Sequence, residues 1–214
     1  MHGQQLHSTT DIRNCPKGGN PACVMKRHNA VVKTICDAFR YGGADIVVQE
    51  HLVDLASETR MDVYVEHDDV QYFYDVSVAN ITAATHIQRA TQRGRVTEYV
   101  KRRKLYKYRN LFGANGRADP NKIFTPLPMD STGAMGKGFQ HFFALLRNVY
   151  RANDRAWSTA TLNYWRSRIS MAFHRATASG TRYRVRQFVR ESYGNQLVGA
   201  IANAEELYAN DLAL

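Results

Sequence analysis

Two aspartates, Asp62 and Asp75, are embedded among apolar residues in the stretch RMDVYVEHDDVQYFYDVSVAN, residues 60–80. Asp is a poor strand former, and a buried carboxylate destabilises a fold by several kcal/mol unless something pairs with it. A third charge stands on the apolar face of the basic segment that follows. Val96, Val100, Tyr108 and Leu111 recur at helical spacing as one core-facing stripe, and Lys104 fills the gap between Val100 and Tyr108. A lysine in such a stripe needs a partner. Two carboxylates from adjacent strands, with backbone carbonyls, make a site for a hard cation such as Mg²⁺ or Mn²⁺. Such an ion polarises a phosphate oxygen and activates water, and an ammonium beside it steadies the water or the developing charge. That is the chemistry of phosphodiester hydrolysis. The same residues equally fit ion pairs of Asp62 with Arg60 and Asp75 with Lys104, with no metal and no reaction. Glu50, on the preceding strand, is either a third carboxylate ligand or a plain surface residue.

The elements that must position these groups follow from periodicity. Val31, Val32, Ile35, Ala38 and Phe39 predict a helix over 25–41, which Gly42-Gly43 stops. ADIVVQEHLVDL is a strand by its β-branched weight. Met61, Val63 and Val65 alternate with Asp62, Tyr64 and Glu66 at the strand period of two, and HDDV is a hairpin tip. YFYDVSV is nearly continuous apolar sequence, as expected of a strand covered on both faces. The basic segment 84–111 reads as helix. KIFTPLPM is a strand that Pro126 and Pro128 confine to a sheet edge. STGAMGKG opens a helix running to about Tyr150, with Ser131 or Thr132 as its cap. Further helices are predicted over 157–178 and 181–214. The expected organisation is a polar arm over 1–24, a mixed α/β core over 25–150, and a helical C-terminal extension over 151–214.

Composition narrows the partners. Lys+Arg outnumber Asp+Glu by 29 to 19, a net charge of +10, which points toward a polyanion, most often nucleic acid. No apolar run approaches the ~20 residues that cross a bilayer. The first residues, MHGQQLHSTTDIRN, lack the apolar centre of a signal peptide, so a soluble, intracellular protein without membrane contact is expected. KRRK is a weak import signal, compatible with a nuclear setting. Cys15, Cys23 and Cys36 do not describe a disulfide framework, and Cys15, Cys23 and His28 lack a fourth zinc ligand. His28 and Asn29 are expected to cap or pack the first helix rather than to act in catalysis, the alternative that their residue types leave open.

The segments CPKGG, RHNAVV, RMDVYV, FYDVSVAN, KRRKLYKY, FTPLPMDSTGAMGKGF and STATLNYWRSRISMAFHRA occur in this order. Together they resemble the restriction-like endonuclease region at the C-terminus of eukaryotic non-LTR retrotransposon-type reverse-transcriptase proteins. The resemblance spans roughly residues 15–178. It implies a PD-(D/E)XK fold, restriction-endonuclease-like, with Asp62 and Asp75 as the motif's two acids. Met61 stands where proline is usual, and Ser77 stands where the motif's lysine normally sits. In these relatives the lysine is thought to come from the next helix, which Lys104 fits, with Lys101 and Lys107 as fallbacks.

A Mg²⁺- or Mn²⁺-dependent DNA endonuclease is therefore expected, with Asp62, Asp75 and Glu50 as metal ligands and Lys104 assisting. Arg95, Lys101, Arg102, Arg103 and Lys107 of the basic helix, with Ser131, Thr132 and Lys137, would contact phosphates, which gives affinity and salt dependence rather than sequence choice. Many nucleases of this type act as homodimers, which makes a homodimer one expectation. Two rivals share the fold: a non-catalytic DNA-binding or assembly protein, using Trp157, Tyr164, Trp165 and RYRVRQFVR, and a Holliday-junction-type resolvase.

Overall fold

A computed structural model describes residues 21–193. The chain forms α1 (Pro21–Gly42), β1 (Ile46–Asp54), β2 (Thr59–His67), β3 (Val70–Ala79), α2 (Ile87–Ala90), α3 (Arg95–Lys107), α4 (Arg109–Phe112), β4 (Lys122–Asp130), α5 (Gly138–Ala152) and α6 (Thr159–Tyr193). The predicted order of helix, three strands, helix, strand and further helices is what forms. The expected arm over 1–24 is shorter than read, since residues 21–24 form the first turn of α1; residues 1–20, with CPKGG, and the tail beyond Tyr193 lie outside the described residues.

The four strands make one mixed sheet in the order β1-β2-β3-β4. β1·β2 and β2·β3 are antiparallel, while β3·β4 is parallel. A parallel pair needs a crossover connection, and here the basic helix α3 supplies it. β4 is an edge strand, as its two prolines require. α1 opens on Pro21, whose missing N–H is harmless in a first helical turn. It stops at Gly43, which takes φ +89° to turn the chain into β1.

Strand alternation sends the side chains to two cores. Val63, Val65, Tyr74, Val76 and Val78 pack with Val31, Ile35 and Phe39 of α1, Phe142 and Leu146 of α5, and Trp165, Ile169 and Phe173 of α6. The other face is smaller, with Met61, Tyr64, Phe73 and Phe124 packed against Tyr108 and Phe112. Helices thus flank both faces of the sheet. Trp165 belongs to the main core and donates its Nε1–H to the Tyr150 hydroxyl at 2.6 Å, so it is not a surface for a partner. Tyr164 is exposed.

Three elements differ from the sequence expectation. The basic segment is not one helix: the chain breaks between α2 and α3, where Gly94 takes φ +80°. Leu111 is exposed, and Phe112 takes its place in the core because α4 is a separate turn rather than a continuation of α3. The helix after β4 starts at Gly138, with Lys137 as its N-cap. Ser131 and Thr132 do not cap it. Asp130 captures the Thr132 N–H (2.9 Å) and the Ala134 N–H (3.1 Å), closing a turn before the helix begins. Gly138 itself lies so close to β4 that a Cβ there would meet the Pro126 oxygen at 2.0 Å. The two helices expected over 157–178 and 181–214 are not separate within the described residues; α6 runs unbroken from Thr159 to Tyr193, capped at its start by Ser158 Oγ accepting the Thr161 N–H at 3.2 Å.

Candidate active site

The site forms where β2 and β3 part. Their ladder ends at Val63↔Tyr74, whereas β3·β4 pairing continues to Ala79↔Asp130. In the gap, Asp62 Oδ2 accepts the Val76 N–H at 2.6 Å, replacing the missing ladder bond with a side chain. This is why an aspartate is tolerated in β2: a backbone donor that would otherwise be orphaned holds it.

Asp75, the next position along β3, points to the α3 side. Lys104 Nζ donates to its Oδ1 at 3.0 Å and lies 2.8 Å from Oδ2 as an ion pair. The Tyr108 hydroxyl donates to Oδ1 at 3.3 Å and Ser77 Oγ to Oδ2 at 3.1 Å. Lys107 Nζ in turn donates to the Tyr108 hydroxyl at 2.9 Å. Lys104 and Tyr108 are one helical turn apart, which brings both to one carboxylate. Arg60, offered by the sequence as a partner for Asp62, instead reaches the Glu50 carbonyl at 3.4 Å.

The electrostatics follow from burial. Burial opposes the Lys104 charge, but Asp75, Tyr108 and Asp62 together more than offset it and hold the ammonium above its ordinary range. Burial, reinforced by Asp75, pushes the Tyr108 phenol up, so it stays a neutral donor. Burial and the neighbouring Asp75 raise Asp62 above the usual carboxylate range, against the opposing pull of His28 and Lys104.

The raised Asp62 makes a pH-dependent prediction. Because its folded value lies above the unfolded 3.8, its contribution to stability is complete below that pH and is lost as pH rises through the folded value. Asp62→Asn keeps an acceptor for the Val76 N–H and carries no charge. In EDTA its melting temperature should therefore gain on the wild type as pH is raised from 3.8 through the folded value of Asp62. A difference that stays flat across that range would mean that the Asp62 carboxylate feels no burial.

The structure thus brings Asp62, Asp75 and Lys104 to one place, with Lys107 joined through Tyr108. It leaves out Glu50, which is exposed with φ +56°, although it stands across from Asp62 in the β1·β2 register. Among the described residues no group of three or more His, Cys, Asp or Glu side chains gathers to hold a metal ion. Two carboxylates nevertheless suit Mg²⁺, which commonly keeps several waters and takes only one or two carboxylates plus substrate phosphate. Asp62 Oδ1 accepts no hydrogen bond within the described residues, so it is the oxygen open to a cation.

The remaining predicted contacts divide by helix geometry. At about 100° per residue, Arg95 and Arg102 fall opposite Lys104 on α3, while Lys101 and Lys107 flank it. Arg102 is 78% exposed and lies 3.5 Å from Glu98, and the Arg103 guanidinium lies over the Tyr99 ring at 5.8 Å. Ser131 accepts the Ile81 N–H at 3.3 Å, Thr132 bonds to Asp130, and Lys137 is exposed at the start of α5. These three are not grouped with the carboxylates by any hydrogen bond or ion pair of the described residues.

Sequence reasoning gave too little weight to two members. His28, expected to cap or pack α1 rather than to act in catalysis, places its Nε2 3.1 Å from Asp62 Oδ2. The signal was present: His28 precedes Val32 by four residues and Ile35 by seven, on the buried stripe of α1. Tyr108 was counted as core alone. No protein-family model matches the chain, and no curated protein matches it. Among the described residues no helix is long and apolar enough to cross a membrane.

Proposed function

We propose that this chain is a metal-dependent DNA endonuclease of the PD-(D/E)XK type. One observation carries the reading: a lysine from the crossover helix pairs with Asp75, with Asp62 facing it from the neighbouring strand and one Asp62 oxygen without a donor among the described residues. The helix–three strands–helix–strand order and the mixed sheet support it, as does a net charge of +10 for a polyanionic substrate. Asp62 and Asp75 would hold Mg²⁺ or Mn²⁺, which would supply Lewis-acid polarisation of a phosphate oxygen and an activated water. Lys104 holds a positive charge beside that place, and Tyr108 and Ser77 fix the carboxylate it bonds. Lys101 and Lys107, flanking Lys104, are the basic residues best placed to reach the scissile strand.

The non-catalytic DNA-binding reading has one observation in its favour. Both Asp75 oxygens are already taken by protein donors, as an ion pair kept only for stability would also be. Incubation with supercoiled plasmid and with a four-way junction separates the readings. Nicking or linearisation that needs Mg²⁺ or Mn²⁺ and stops in EDTA is the expected result, and preference for the junction would define a resolvase. Retention of DNA in a mobility-shift assay in EDTA, with no cutting of either substrate in either metal, would make this a binding protein.

A further inference from the structure

We propose that His28 is a positioning residue that clamps Asp62, so that its second oxygen is presented to the cation. The inference rests on the metal-dependent reading above and deepens it. Asp62 Oδ2 faces two groups, the Val76 N–H at 2.6 Å and His28 Nε2 at 3.1 Å. In the ionised state that a cation requires, the carboxylate oxygen can only accept, so Nε2 carries the hydrogen and the imidazole donates. Nδ1 lies 3.1 Å from the Asn29 side-chain oxygen, whose amide can turn either its oxygen or its NH₂ toward the ring, so a neutral imidazole satisfies both contacts. With one oxygen held by two donors on different elements, the carboxylate cannot rotate, and Oδ1 is left without a donor among the described residues.

The clamp is stiff because its base is stiff. His28 is 16% exposed at the side chain and sits on the α1 stripe whose next members, Val32, Ile35 and Phe39, are fully buried in the main core. The imidazole therefore reaches Asp62 from a helix fixed on one face of the sheet, while Lys104 reaches Asp75 from the helix on the other. Donors that orient a ligating carboxylate without touching the metal typically change metal affinity by about 10–100-fold when removed.

Mn²⁺ binding, followed by the loss of the free-ion electron paramagnetic resonance signal, tests this on the full chain. Wild type, His28→Ala, His28→Gln and Asp62→Asn are compared at one pH, with circular dichroism to establish that each is folded. His28→Ala should bind Mn²⁺ about 10–100-fold more weakly than wild type. His28→Gln, whose carboxamide N–H can donate to the same oxygen, should recover most of that loss. Unchanged affinity in His28→Ala overturns the inference while leaving the metal site standing. Equal loss in both His28 variants, each folded, also overturns it, because a donated hydrogen bond would then not be what matters. Failure of wild type itself to take up Mn²⁺ overturns the metal-dependent reading, and the clamp with it.

Discussion

Replacing Asp75 by alanine is expected to destabilise the fold by about 3–5 kcal/mol, because it leaves the Lys104 ammonium buried without its counter-ion. The pair is well enclosed: the Lys104 side chain is 16% exposed and that of Asp75 is 7% exposed. At about 2–4 °C per kcal/mol for a chain of this size, the thermal midpoint should fall by roughly 10 °C. Asp75→Asn should lose less, since it keeps an acceptor for Tyr108 and Ser77. The double variant Asp75→Asn/Lys104→Met should recover most of the loss, because removing both charges of a buried pair is often neutral. Urea unfolding of the three variants beside wild type measures this directly. A double variant no more stable than Asp75→Ala would show that the ion pair is not what holds this end of the sheet. The same reasoning makes Asp75→Ala a poor test of chemistry, since a loss of cutting would be mixed with a loss of structure.

Lys104→Met is the cleaner probe of catalysis. The variant also strands a buried charge, but methionine keeps the buried stem and Asp75 retains its hydrogen bonds from Tyr108 and Ser77, so it should lose less stability than Asp75→Ala and stay folded, which circular dichroism checks. Plasmid cutting should nevertheless fall by roughly 10²–10³-fold, the usual effect of removing one preorganised group that stabilises developing charge. Mn²⁺ binding should not weaken, because the variant removes a cation that competes for the Asp75 oxygens. That split between binding and rate assigns the lysine to the chemistry rather than to the metal. Cutting at the wild-type rate would remove Lys104 from the mechanism and leave it as the counter-ion of Asp75. Residual cutting that is lost only when Lys107 is also replaced would pass the role to the Lys107–Tyr108 contact.

Much of this site was legible in the sequence because it is written in two short periodicities. The alternation around Asp62 and Asp75 placed both acids on neighbouring strands, and the gap in the α3 stripe pointed Lys104 inward. The failures have equally local causes. His28 reads as a capping or packing residue rather than a site residue because its partner is 34 residues away and no spacing rule links a helix to a later strand. Ser131 and Thr132 were misread as caps because Asp130, one residue earlier, competes for the same N–H groups and wins. Leu111 was placed inside because the stripe was extended through Tyr108, where the chain breaks stride between two helices. Glu50 takes the surface position rather than the ligand position, since the left-handed backbone there departs from the strand pattern that would have aimed it at Asp62.

The edge strand β4 has a consequence for how this protein meets copies of itself. The Phe124 N–H and the Pro128 carbonyl turn away from β3, to Gly116 O and from Gly136 N, both at 2.8 Å, so Pro126 and Pro128 fall on the outward-facing register. Prolines there remove the very donors that an incoming strand would need, without breaking a bond to β3. That rim of the sheet is closed to strand addition. Growth of the sheet into an intermolecular β-structure, whether in crowded refolding or in a swapped dimer, is therefore confined to β1, and β1 is itself interrupted at Glu50.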